Sequence, residues 1–291
     1  MRAWLLALVV AIAGSGAPVL AQDVSRDGRE QITVEIPEPG ETQELTLRDG
    51  SRLFGRVVSV EADVIVFRTT AGADLTVDLA GVAALRVVRG RVVNHEFVPA
   101  DPNATRLLFG PTARSLEAGQ GYLAVYEILM PFVQVGLTDR ISFGAGTPLV
   151  FGGDTSHPFW ISPKAQVFDG TRAQVAVGLL HIFAGGDDQV GIAYGVTTIG
   201  HEDDAVTIGA GYGYETSGGG GSVVVMVGGE HRVSRRLKLV TENYVWEGAS
   251  GILSGGVRFI GDRLSADLGL VMPVGDDGFF AFPVVSFAWS F

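Results

Sequence analysis

Between Ala104 and Phe291 the chain repeats one pattern. Segments of about ten residues alternate apolar with small or polar side chains and are cut by Gly, Asp and Ser turns. A period of two belongs to β-strands, whose successive side chains point to opposite faces. Within residues 205–215, Val206, Ile208, Ala210, Tyr212 and Tyr214 share one face, opposite Thr207, Gly209, Gly211 and Gly213. Within residues 189–200, Val190, Ile192, Tyr194 and Val196 oppose Gly191, Ala193, Gly195 and Thr197. Within residues 264–274, Leu264, Ala266, Leu268, Leu270 and Met272 oppose Ser265, Asp267 and Gly269. A soluble sandwich would bury its apolar faces and carry charge outside. Here the second face is Gly, Ser, Ala and Thr with single charges, which suits the lumen wall of a barrel with lipid on its apolar side. The expected fold is all-β: an antiparallel transmembrane β-barrel over residues 101–291, preceded by a smaller β domain.

The pattern gives about twelve strands, near residues 105–113, 121–137, 140–151, 159–169, 172–183, 189–199, 205–215, 222–232, 236–247, 251–261, 264–274 and 279–291. An even number places both barrel ends on one side of the membrane. Counting back from Phe291, the turns at 261–263, 233–235, 201–204, 169–171 and 138–139 fall on that periplasmic side, and all are tight. The opposite set, near 115–119, 152–158, 184–188, 216–221, 249–250 and 275–278, is mostly longer and rich in glycine. Alternation slips near Glu127, where a bulge is expected.

The front of the chain differs. Residues 1–21 read as a secretory signal peptide: Arg2, an apolar stretch from Trp4 to Ala13, Pro18, and a small-residue site ending at Ala21. Residues 22–43 are polar and hold Pro37, Pro39 and Gly40, as a tether would. Residues 44–100 form a small β module, with a hairpin around Asp49 and Gly50 and further strands at 63–69, 74–79 and 85–88. Leu45, Leu47, Leu53, Val57, Val64, Val66, Leu75, Val77 and Leu79 are its expected inward positions. The run Leu47, Asp49, Gly50, Ser51, Leu53, Gly55, Val57 resembles the opening of SH3-like or Sm-like barrels. The module is expected to be a periplasmic interaction or spacer unit, with a periplasmic protein as its candidate partner. No basic and aromatic cluster marks an RNA surface, and a net charge of −11 argues against nucleic-acid binding in general.

The last strand is the most specific signal. Val285, Phe287, Trp289 and Phe291 share one face, and the chain ends on the aromatic. This resembles the C-terminal assembly signal of bacterial outer-membrane β-barrels. Strand phrases such as Ala193–Tyr194–Gly195–Val196, 238–244 and 253–259 are similar to those of such proteins. The resemblance implies a bacterial outer-membrane address, with lipid around the barrel and the barrel-assembly machinery as a partner during biogenesis.

Chemistry is sparse. With no cysteine, disulfides, Fe–S clusters and thiol nucleophiles are excluded. The five histidines stand singly, without metal-ligand spacing, and no nucleotide fingerprint or nucleophile elbow occurs, so no catalytic, cofactor or metal residue is assigned. The one local group near an outer loop is His157 with Asp154 and Ser156, the basis of an alternative reading as an outer-membrane lipase or protease. A soluble secreted all-β binding protein is a third reading. Lys164, Arg172, Glu230, Lys238, Glu242, Arg258 and Asp267 fall on faces assigned to the lumen. They suit either a salt-bridged network or the selectivity lining of an open pore. Small interior residues mean either open space or room for neighbouring side chains. The function expected is a non-enzymatic barrel, a narrow channel or a structural element.

Overall fold

A computed structural model describes residues 41–149, 158–184, 189–218, 220–246, 250–275 and 280–291. The expected signal peptide and all but the last residues of the expected tether lie outside them, as do Asp154, Ser156 and His157. The chain divides into two compact units, Met1–Ala100 and Asp101–Phe291.

In the first unit, β1 (Thr42–Leu47), β2 (Arg52–Glu61), β3 (Val64–Thr69), β4 (Asp74–Asp78) and β5 (Val82–Val88) form one antiparallel sheet in the order β4-β3-β2-β1-β5. β1 therefore begins two residues before the expected start of the module. Leu45, Val57, Ile65, Phe67 and Val82 make the core. Ile65 and Phe67 are buried where Val64 and Val66 were expected, and Leu75 is exposed. The run Val64 to Phe67 is apolar at every position, so alternation there could not choose a face. A bulge between Val57 and Ser59 sets the register, and the buried Gln43 accepts the Val57 N–H at 2.9 Å. A second hairpin, β6 (Gly90–Val93) with β7 (Glu96–Pro99), follows.

In the second unit, twelve antiparallel strands close into a barrel. They are β8 (Gly121–Tyr126), β9 (Met130–Gly136), β10 (Ile141–Gly146), β11 (Phe159–Asp169), β12 (Ala173–Phe183), β13 (Gln189–His201), β14 (Asp204–Glu215), β15 (Gly221–Ser234), β16 (Leu237–Trp246), β17 (Ser250–Ile260), β18 (Leu264–Val274) and β19 (Phe282–Ser290). β19 pairs with β8 to complete the ring.

The count of twelve matches expectation through two departures that offset each other. Residues 105–113 are not a wall strand; they lie inside the barrel. Residues 121–137 are two strands joined at Glu127 and Ile128, which take positive φ values of 48° and 65°. The expected bulge is a full reversal. Consequently residues 115–119 sit at the tight-turn end, where the Ala118 N–H donates to Asp139 at 2.9 Å, rather than in the opposite set.

Outside, the wall is apolar. Val206, Ile208 and Tyr212 on β14 lie beside Val223, Val225 and Val227 on β15, each between 41% and 52% exposed. A contiguous apolar face of this kind marks a surface that meets a partner or a membrane. β13 corrects the expected facing: Ile192, Tyr194 and Val196 point into the lumen, and Ala193 lies outside beside Tyr212. The cause lies inside the barrel, where an apolar segment needs apolar partners.

Candidate functional site: a plugged lumen

Asp101 to Ser115 enters the barrel at the tight-turn end, reverses, and leaves at the same end to begin β8. The reversal is tied by the Leu107 N–H to the Gly110 carbonyl (2.9 Å) and the Thr112 N–H to the Thr105 carbonyl (3.0 Å). Pro102, Gly110 and Pro111 interrupt any longer strand here, leaving a short turn whose backbone groups need partners from the wall.

The wall supplies them from the expected lumen charges. Arg258, fully buried, donates to Asp267 (2.7 and 2.9 Å), to Asp101 (3.0 Å), and to the carbonyls of Asn103, Arg106 and Leu107 (3.0, 3.2 and 2.5 Å). Lys238 bridges Asp101 (2.9 Å) and Glu230 (2.8 Å). Arg114 of the inserted segment pairs with Glu230. Lys164 donates to the carbonyls of Thr105, Thr112 and Arg114 (3.3, 3.1 and 2.6 Å). Glu242 accepts the N–H groups of Phe109 and Gly110, both at 2.9 Å, and the Tyr244 hydroxyl at 2.7 Å. Thr198 takes the Ala113 N–H and Gln166 donates to the Ala113 carbonyl.

Six of the seven expected residues thus meet around one segment. Arg172 does not: β12 begins at Ala173, which leaves Arg172 exposed in the preceding turn. Val285, Phe287, Trp289 and Phe291 lie on the outer face of the closing strand, the three aromatics 43–47% exposed, while Val284, Ser286 and Ala288 face in.

Apolar packing completes the plug. Leu107, Leu108 and Ala113 pack on Ala176, Val196, Met226 and Val240. Each buried leucine contributes about 1.5–3 kcal/mol. Some inward glycines make room for neighbouring side chains: a Cβ on Gly228 would lie 2.3 Å from Leu107, and one on Gly144 2.4 Å from Phe132. Arg106, Arg114, Gln166, Thr198 and Tyr244 escaped the sequence reading. Arg106 belongs to a segment taken for wall, Arg114 directly follows it, and the others carry no formal charge to flag them.

Above the plug, toward the longer connections, the lumen holds a cavity of about 460 Å³. Its walls include Phe132, Trp160, Ile182, Tyr194 and Val224, and Arg106, Phe109 and Lys164 stand among its lining residues. Among the described residues no group of His, Asp or Glu could hold a metal ion. The His231–Asp204 pair at the tight-turn end is exposed.

No protein-family model matches the chain, and no curated protein matches it. Among solved structures it is similar to the KdgM porin in complex with disordered oligogalacturonate, with TM-score 0.44, 6% identity, and 59% of this chain and 98% of that one covered. It is also similar to a loop L8 deletion mutant of OmpT, an outer membrane protein of Vibrio cholerae, with TM-score 0.38, 10% identity, and 86% and 96% covered.

Proposed function

We propose that this chain is a non-enzymatic bacterial outer-membrane barrel whose lumen is closed from the periplasmic side by its own residues 101–115. Of the two roles open to such a barrel, narrow channel and structural element, the seated segment supports the closed one. The observation that carries the reading is the Arg258 and Lys238 network, which binds the segment through Asp101 and through backbone carbonyls. Buried cations are retained where every donor finds an acceptor, and selectivity linings leave theirs to the permeant ion.

The apolar outer wall and the aromatic closing strand support the membrane address. The parity of the strands supports a periplasmic N-terminal unit, because the start of β8 and Phe291 share the tight-turn end. The order β4-β3-β2-β1-β5, with β1 between β2 and β5, supports an SH3-like reading of the first unit as a protein-interaction module.

Planar-bilayer conductance tests the closed lumen. The refolded protein should be silent, and deletion of residues 102–113 should open steps. Steady conductance of the intact protein would refute it. For topology, a tag within 216–218 should be labelled on intact cells and one within 170–172 should not; the reverse would refute the orientation.

A further inference from the structure

The cavity above the plug has apolar and aromatic walls, two cations, and no carboxylate among its described lining residues. Its volume of about 460 Å³ falls within the range of small-molecule sites, about 300–1,000 Å³. The charges are distributed unevenly. The acids of the lumen are engaged elsewhere: Asp101, Glu230 and Asp267 with Lys238, Arg114 and Arg258, and Glu242 with two backbone N–H groups and Tyr244. Lys164 is held only by neutral carbonyls.

Arg106 has no ion pair among the described residues. Its guanidinium lies 5.4, 5.3 and 4.5 Å from the ring centres of Tyr122, Tyr126 and Phe132 and donates to Tyr126 and, at 3.1 Å, to Gln134. Its Nε is buried without a hydrogen-bond partner. A guanidinium in low-dielectric surroundings with no counter-ion attracts an anion far more strongly than one in water.

We infer that the cavity is a binding site for a small amphipathic carboxylate, its apolar or aromatic body against Trp160, Phe132 and Tyr194 and its anionic head toward Arg106 and Lys164. The stacked pair of Phe132 and Trp160, ring centres 6.4 Å apart, offers a flat aromatic wall. A cation of the same body would meet like charge, and a neutral ligand would leave both cations uncompensated. The inference rests on the plug being seated, since Arg106 and Phe109 belong to it.

The test is equilibrium dialysis of 2-naphthoate and its neutral isostere 2-naphthamide against the full chain in lipid nanodiscs, with empty nanodiscs as the partition blank. The expected result is retention of naphthoate above the blank, about tenfold tighter than naphthamide. Arg106→Gln should erase that preference while leaving naphthamide binding in place. Leu180→Trp, which fills the cavity and leaves the cations in place, should abolish both. Should Arg106→Gln fail to show the heat-modifiable migration of a folded barrel, the naphthoate preference of the wild type and its loss in Leu180→Trp still decide. No retention above the blank, or equal retention of acid and amide, overturns the site. If that protein is also silent in the bilayer, the plug stands and only the site falls. If it conducts, the plug fails first.

Discussion

Replacing Arg258 by Met should unseat the plug. The change removes six hydrogen bonds at once, leaving Asp267 with Ser286 at 3.2 Å, Asp101 with Lys238 and the Asn103 N–H, the Asn103 carbonyl with the Arg106 N–H at 3.3 Å, and the carbonyls of Arg106 and Leu107 without their side-chain donor. Breaking a buried charge pair by removing one member costs about 3–5 kcal/mol, because the other charge remains buried. At about 1.4 kcal/mol per decade, the released plug should gain about a hundredfold to a few thousandfold in population. The barrel wall keeps its backbone ladder, so heat-modifiable migration should persist. The assay pairs planar-bilayer conductance with trypsin cleavage after Arg106 and Arg114, which the seated plug protects. Arg258→Met should show channel steps and cleavage. The double variant Arg258→Met with Asp267→Leu should recover part of the protection, since no lone carboxylate then remains at 267. A folded Arg258→Met protein as silent and as trypsin-resistant as the wild type would refute the reasoning.

Deleting Phe291 should impair membrane insertion and heat-modifiable migration without affecting export, whereas Ser290→Ala should change neither; normal membrane yield after the deletion would make β19 an ordinary strand. Ile128→Gly should leave the barrel as stable as before or about 1 kcal/mol more stable in urea unfolding from vesicles, because a β-branched residue at φ 65° is strained. A clear loss would mean that the Ile128 side chain, 68% exposed, holds something in place. In the first unit, Ile65→Ala should cost about 2–4 kcal/mol by denaturant titration and Val64→Ala less than about 1 kcal/mol. The opposite ranking would restore the face expected from alternation.

The barrel wall was legible because an apolar outer face and small residues inside impose a strict period of two on strands such as β14 and β18. The reading failed where that period carried no information. Residues 105–113 have the length and apolar content of a strand, but Gly110 and Pro111 sit within them, and hydrogen bonds to lumen side chains replace the ladder. At Glu127 the chain reverses with no glycine, proline or asparagine to announce it. β13 turns its apolar face inward to meet the plug, a preference that its own residues cannot reveal. Six of the seven candidate charges, all but Arg172, were legible as lumen-facing for the same reason as the wall. The target of Lys164, Glu242 and Arg258, the backbone of residues 103–114, was not, because a backbone group leaves no mark in a sequence.

The claim on which everything else depends is that residues 101–115 sit inside the lumen. Methyl-to-methyl NOEs in the folded barrel test it directly. The structure predicts cross-peaks from Leu107, Leu108 and Ala113 to Ala176, Val196, Met226 and Val240, on four different strands of the wall. Cross-strand backbone NOEs placing residues 105–113 beside β8, or no contacts between these methyls while the barrel is folded, would contradict it.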